Sequence, residues 1–374
     1  MQTNDTLFTH TTIGSRIAKN RFVSQPMEGN DADLGKVSPR TLQRYKKLAQ
    51  GNWGIIIVEA ISINADSLAR KNQLVLDEST LASFTNLIAE MRAIDPDTLI
   101  LLQITHSGRK SGKDFSHPTA LYAPEPDEHL LTTEEIQQIQ NEFIHAVLLA
   151  QQTGADGVDF KLCHGYLGCE FLRPANIRED KWGGSLENRT RFFREAIIAI
   201  RKELTSDTFI LGSRISYYEG IRGGCGTATP DDRVEDLEEM DAVISMMADL
   251  NFDYINVSAG IPGVTSEITR PTSTSKWFYL HQFRYARRAR RFAGTMKVIG
   301  SAFSVLQKDS LVAGVENIER GDIDFVGWGR QTLADPLFPK KVLLQESIDY
   351  CKLCSGCSRL MMKQEPVRCI MFPR

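Results

Sequence analysis

The chain has 374 residues, a net charge of −3 and 24% charged side chains, so no overall basic field argues for nucleic acid or an anionic membrane, and small-molecule partners are expected. The amino terminus MQTNDTLFTHTTIG has no basic flank and no long apolar run. No later stretch approaches the roughly 20 apolar residues that span a bilayer, which speaks against export and membrane insertion and leads to the expectation of a cytoplasmic protein, with homo-oligomerisation left open.

Arg21 to Met27 reads as a first strand stopped by Pro26, and Ser38-Pro39 starts a helix with Pro at its first position. Gly54 to Ala60 (GIIIVEA) and Thr98 to Thr105 (TLILLQIT) are apolar nearly throughout, as strands buried on both faces must be. Between them Leu81, Phe84, Ile88 and Met91 form a helical stripe. The second of these strands delivers Gln103, His106 and Arg109 to its carboxyl end. Ser111 to His129 holds too much Pro and polar content for either element and reads as a functional loop. Thr132 with Glu135 makes a capping box ahead of Ile136, Ile139, Phe143 and Val147. Strand Asp156 to Leu162, helix Leu186 to Glu203 with Ser185 as N-cap, strand Phe209 to Ile215 and helix Val234 to Leu250 continue the alternation. Strand Tyr254 to Ser258, strand Lys297 to Gly300, helix Ser304 to Glu319, strand Asp324 to Gly327 and a last helix from Asp335-Pro336 complete it.

Eight strands alternating with helices predict an α/β fold, a closed (β/α)8 TIM barrel over residues 1–344, followed by a short Cys-containing tail over 345–374. No G-x-G-x-x-G follows an early strand, so a Rossmann domain is not indicated. Barrels present chemistry at the carboxyl ends of their strands. There the strand from Asp156 brings out Lys161, Cys163, His164 and Tyr166, with Gly165 and Gly168 breaking the pattern. A lone guanidinium near a buried strand end, as at Arg214, is costly without an anionic partner. Gly300-Ser301 and Gly327-Trp328-Gly329-Arg330, after strands seven and eight, suit phosphate: glycines let backbone N–H groups approach oxygens and Arg330 adds charge. Lys161 at a strand end also keeps open a Schiff-base lyase or aldolase. Of the seven cysteines, Cys351, Cys354, Cys357 and Cys369 read C-x2-C-x2-C-x11-C, which suits free thiols, zinc or an iron–sulfur cluster better than a secretory disulfide framework. Tyr217, Tyr218, Trp277, Phe278 and Tyr279 fall in loops where they would either cover a substrate or plug the loops against the barrel.

Pro26-Met27, HSGR at His106–Arg109, HGYL at His164–Leu167, GGSLENR at Gly183–Arg189, and Gly329-Arg330 followed by Leu333-Ala334-Asp335-Pro336 together resemble the flavin-dependent old yellow enzyme family, in its 2,4-dienoyl-CoA reductase-like branch. The resemblance implies FMN as cofactor, NAD(P)H as reductant, and reduction of a C=C bond conjugated to a carbonyl in a small unsaturated substrate. It further implies Arg214 against the flavin N1–C2=O edge, Gln103 on the pyrimidine, and Pro26, Met27 and Ala60 as backbone contacts and floor of the ring. Gly300, Ser301, Gly329 and Arg330 would then face the phosphate. Lys161 and His164 take the place of the family's carbonyl-holding His-x-x-His or His-x-x-Asn pair, and Tyr166 that of its proton donor.

Two departures matter. Lys161 is a charged point donor with a different reach from histidine, and Glu28 stands where relatives carry a small or thiol residue, able to pair with Lys161 or to select a basic substrate group. Branch members use a C-terminal cysteine set for a [4Fe–4S] relay fed by a pyridine-nucleotide domain; here the middle spacing is one residue shorter and the sequence ends at Arg374 before such a domain. An iron–sulfur dienoyl- or enoate-type reductase fed by a separate donor, and a non-catalytic flavin- or phosphate-binding barrel, are the remaining alternatives.

Overall fold

Apolar runs with no alternation have no face to show to water, and this chain buries them by closing a sheet on itself. The computed structural model describes residues 5–373. Eight strands close in sequential order into an all-parallel barrel. They are β1 (Phe22–Ser24), β2 (Ile55–Ser62), β3 (Leu99–Thr105), β4 (Gly157–Leu162), β5 (Ile210–Ser216), β6 (Tyr254–Ser258), β7 (Lys297–Gly300) and β8 (Phe325–Trp328). Every residue of β2, β3 and β4 is buried. Around them lie α1 (Pro39–Ala49), α2 (Leu81–Ile94), α3 (Thr133–Gln152), α4 (Leu186–Glu203), α5 (Glu238–Asp249), α6 (Tyr279–Arg290), α7 (Ser310–Glu319) and α8 (Phe338–Leu344). This is the (β/α)8 TIM barrel expected. No helix among the described residues is long and apolar enough to cross a membrane.

The predicted caps form. Ser38 Oγ accepts from Thr41 N at 3.1 Å, Thr132 and Glu135 satisfy one another's backbone N–H groups, and Ser185 Oγ accepts from Asn188 N at 3.3 Å. The two serines each satisfy one orphan donor of a helix start, and the Thr132–Glu135 box satisfies two. Inside the barrel Val23, Ile57, Leu101, Tyr254, Ile299 and Phe325 pack with Ile13 and Ala18 of an antiparallel hairpin (Thr11–Ile13 with Arg16–Ala18). That apolar plug leaves the carboxyl ends of the strands for polar work.

Several boundaries differ from expectation, each for a local reason. β1 ends at Ser24 because Pro26 has no N–H for the ladder; its last ladder bond is Gln25 N to Trp328 O at 2.9 Å. α5 starts at Glu238 rather than Val234, since Glu235 is held in a bridge to Thr227. The helix expected from Ser304 breaks at Gln307, whose φ is +53° and whose side-chain amide donates to Cys351 O at 2.9 Å. α8 begins at Phe338, just beyond Pro336. Within the loop Ser111 to His129, Thr119–Ala120 pairs with His129–Leu130.

After α8 the chain returns across the carboxyl end of the barrel. Val367 N donates to Gly29 O at 2.7 Å, Lys71 N to Gln364 Oε1 at 3.1 Å, and Arg70 approaches Met361 Sδ at 3.2 Å.

Candidate active site

Parallel register places the polar ends of neighbouring strands side by side: Gln103 opposite Asp159, Lys161 opposite Arg214, and Arg214 opposite Asn256. Pro26, Met27, Glu28, Gln103, Lys161, His164, Tyr166, Arg214, Ser301, Gly329 and Arg330 all line one cavity there. Ala60 and Gly300 do not line it. Ala60 is wholly buried where the β2–β3 register shifts, its carbonyl accepting from Gln73 Nε2 at 3.2 Å. Gly300 is packed under Ile323 and Phe303.

Glu28 is the hub. One carboxylate oxygen accepts from Tyr166 Oη at 2.5 Å and from Lys161 Nζ at 3.0 Å; the other meets Arg70 at 3.0 Å. Lys161 Nζ also lies 3.4 Å from the centroid of the Tyr166 ring. Burial alone would raise the Glu28 carboxyl, but Arg70 and Lys161, with hydrogen bonds from Tyr166 and Lys161, hold it well below the usual carboxylate range. Burial likewise works against the Lys161 ammonium, and Glu28 overrides it and raises its pKa. Burial and then Glu28 raise the Tyr166 phenol, which therefore stays protonated. Of the two tasks the sequence leaves to Glu28, pairing with Lys161 is the one this geometry performs.

His164 is a non-glycine residue in the left-handed region (φ +64°), followed by Gly165 at φ +77°. This turn aims the imidazole inward. Its backbone N–H donates to Ser216 Oγ at 3.0 Å and its Nε2 lies 2.9 Å from Ser258 Oγ. Burial, with the Arg214, Lys161 and Arg270 cations nearby, pushes the imidazole well below its ordinary pKa. His164 is a neutral hydrogen-bonding group.

Arg214 donates to Gln25 Oε1 and, at 3.3 Å, to Ser258 Oγ, while its Nε is buried without any partner. Gln25 is fixed by reciprocal amide bonds with Asn256 at 2.9 and 2.7 Å. Gln103 Nε2 donates to Asp159, which also accepts from Tyr254 and whose pKa burial raises to about 6. The loops after β7 and β8 are joined by Ser304 Oγ, which accepts from Gly329 N at 3.1 Å and Gln331 N at 3.2 Å. Arg330 is buried and donates to Pro271 O at 2.8 Å. Among the described residues Arg214, Arg270 and Arg330 form no ion pair, so the cavity holds cations in want of an anion. FMN fits this donor set. Its phosphate suits Arg330, and its pyrimidine edge suits the orphaned Arg214 Nε.

Arg70, Lys110, Gln25, Ser258 and Met361 also line the cavity and carried no sequence signal of their own. Of the loop aromatics, none does. Tyr217 is buried and donates to Asp241 Oδ1, Tyr218 donates to Arg233 O at 2.7 Å, and half-exposed Trp277 stacks on Phe278 with centroids 4.0 Å apart.

All seven cysteines are free. Cys351, Cys354 and Cys357 are the ionisable neighbours of Arg330, on the side of the cavity where the tail passes. Among the described residues, the tail sulfurs are not gathered within 4.8 Å in any group of three, wider than the ~3.8 Å S···S spacing that tetrahedral 2.3 Å Zn–S bonds require. Cys169, Glu219 and Cys225 are so gathered, but Arg173 already takes both oxygens of Glu219, at 2.7 and 3.0 Å.

The chain matches the NADH:flavin oxidoreductase / NADH oxidase family over residues 6–347. It is 30% identical over 368 residues to the NADH oxidase of Thermoanaerobacter brockii, covering 94% of this chain and 53% of that one, so it spans about half that relative's length. To the NADPH dehydrogenase of Clostridium acetobutylicum it is 34% identical over 262 residues, covering 68% of this chain and 74% of that one. A solved complex of 2-naphthoyl-CoA reductase with 2-naphthoyl-CoA superposes with a TM-score of 0.84 at 26% identity, over 99% of this chain and 57% of that one. With a barrel of this order and a cation-lined cavity at its carboxyl end, the chain belongs to the NADH:flavin oxidoreductase / NADH oxidase family, enzymes that combine FMN with NADH or NADPH.

Proposed function

We propose that the protein is an FMN-dependent NAD(P)H ene-reductase that reduces a C=C bond conjugated to a carbonyl in a small molecule. The observation that carries this reading is the convergence of Lys161, neutral His164 and the Tyr166 hydroxyl on the cavity that also presents the unpartnered Arg214 Nε. When bound, FMN supplies the hydride acceptor for NAD(P)H and the hydride donor for the alkene β-carbon. Pro26, Met27, Gln103 and Arg214 would hold its ring, and Ser301, Gly329 and Arg330 its phosphate.

Lys161 and His164 would hold the substrate carbonyl oxygen, where donors help most as enolate charge develops. Tyr166 would release its proton to the α-carbon, with the Lys161 ammonium against its ring to offset the phenolate. Overall the alkene gains one hydride and one proton, NAD(P)H becomes NAD(P)+, and solvent returns the proton to Tyr166. Glu28 keeps Lys161 charged and Tyr166 protonated between turnovers. That charge state weakens the imine alternative, because a protonated lysine is no nucleophile.

In this reading residues 1–344 form the catalytic barrel of a cytoplasmic enzyme, and 345–374 a tail laid across its cavity. A second reading adds an iron–sulfur cluster on Cys351, Cys354, Cys357 and Cys369, fed by a separate electron donor. It is favoured by the three tail cysteines beside Arg330. The visible spectrum of anaerobically purified protein, followed by addition of NADPH and an enone, tests both. A flavin spectrum with enone-dependent NADPH oxidation supports the first reading, and a flavin band on broad iron–sulfur absorption adds the second. A protein that stays colourless after FMN is added overturns both.

A further inference from the structure

The cavity lining contains six cationic side chains, Arg70, Lys110, Lys161, Arg214, Arg270 and Arg330, against one carboxylate, Glu28. An FMN phosphate carries up to about two negative charges, which leaves about three positive charges uncompensated. Their excess is concentrated at one place. Lys110 ends the short turn Gly108–Lys110 after β3, and its stem lies so close over Gly165 that a Cβ there would come within 3.1 Å of Lys110 Cε. It therefore stands beside the His164-Gly165-Tyr166 turn. The Lys110 ammonium has no hydrogen-bond or ion-pair partner among the described residues, its backbone N–H alone being engaged, by Ser107 O at 2.9 Å. The nearby carboxylates are already engaged, Glu219 by Arg173 and Glu170 by Arg109. Next to it Arg70, although tied to Glu28, has a buried Nε with no acceptor. Burial, then Arg173 and Arg70, push the Lys110 ammonium below its ordinary pKa, as expected of a cation that lacks its anion.

We propose that Lys110 and the free Nε of Arg70 form a carboxylate subsite for the substrate itself, so that the preferred substrates are short unsaturated carbonyl compounds bearing a carboxylate within a few atoms of the alkene. This rests on the ene-reductase reading and names its substrate class. The anion belongs close to the reacting carbons because Lys110 packs on the residue next to Tyr166. The phosphates of a long thioester would lie too far away.

The matched pair trans-4-oxo-2-pentenoate and its methyl ester share one alkene and differ in charge. With wild-type holoenzyme, kcat/KM for the acid should exceed that for the ester by about tenfold to a hundredfold, the range of a hydrogen bond to a charged group. Lys110→Met should erase that preference through KM for the acid, and Lys110→Arg should restore part of it. The flavin spectrum of each variant reports that it is folded and loaded. As a second readout, 4-oxopentanoate should perturb the flavin band at lower concentration than its methyl ester in wild type, and equally in Lys110→Met. Equal use of acid and ester by wild type overturns the subsite. So does an equal loss on both in Lys110→Met, or an effect confined to KM for NADPH, which would assign Lys110 to the reductant's phosphates. If neither compound is reduced although NADPH bleaches the flavin, the ene-reductase reading falls and the subsite with it.

Discussion

Two carboxylates sit among cations at the carboxyl end of this barrel, and their surroundings separate an ion cluster closed within the protein from one that opens on the cavity. Glu219 has no exposed surface and spends all its capacity inside the protein: two bonds from Arg173, one from Cys225 N at 3.1 Å and one from Cys169 Sγ at 2.9 Å. Burial would raise its carboxyl, and Arg173 overrides this and lowers it. Glu28 is held down by the same balance, yet its partners are not enclosed with it. Lys161 and Tyr166 face the cavity, and Arg70 retains an unpaired Nε. A buried ion pair by itself is weak evidence of function. Unspent donors around a cavity are the stronger sign.

The largest expected effect lies at Tyr166. Tyr166→Phe should slow alkene reduction by about 10²- to 10⁴-fold, the scale of a positioned general acid, while sparing flavin reduction; equal loss in both half-reactions would show a merely structural tyrosine. Glu219→Gln should do the reverse. It leaves Arg173 buried without its counter-charge and should cost about 3–5 kcal/mol of stability in denaturant unfolding, with activity per folded molecule retained. Arg214→Met should loosen FMN and slow its reduction by roughly 10²-fold, as loss of one electrostatic donor does, read by flavin retention on a desalting column and by single-turnover bleaching.

The smallest effects are in pH. The Glu28 pKa is depressed, so its contribution to stability is complete above the ordinary carboxylate range and lost as pH falls through its own lower value. Glu28→Gln should therefore flatten the acid limb of stability below about pH 4.5. The His164 pKa is depressed as well, so it stays uncharged at and above its usual titration range. The pH profile of alkene reduction should show no step near pH 6.5, and such a step, if abolished in His164→Asn, would contradict the neutral assignment.

Most of the barrel was legible because its signals are local. Ser38-Pro39 and Thr132 with Glu135 announce helix starts within four residues, and unbroken apolar runs announce buried strands. The HGY turn was legible because a strand ending in donors has few other uses. What escaped depends on chain segments far apart meeting. Glu28 lies 133 residues before Lys161, and the two meet only because closure of the barrel brings the loop after β1 across to the end of β4. Lys110 and Arg70 look like ordinary loop cations until the cavity closes around them. Gln307 continues a helical period and still breaks, because the returning tail offers it the Cys351 carbonyl.

The most direct test is stopped-flow absorbance of the purified holoenzyme, taken anaerobically through both half-reactions. If the protein is an ene-reductase, NADPH bleaches the flavin band and an enone, with no other oxidant present, restores it at least as fast as turnover. A flavin that NADPH reduces but no unsaturated carbonyl compound reoxidises would contradict that reading.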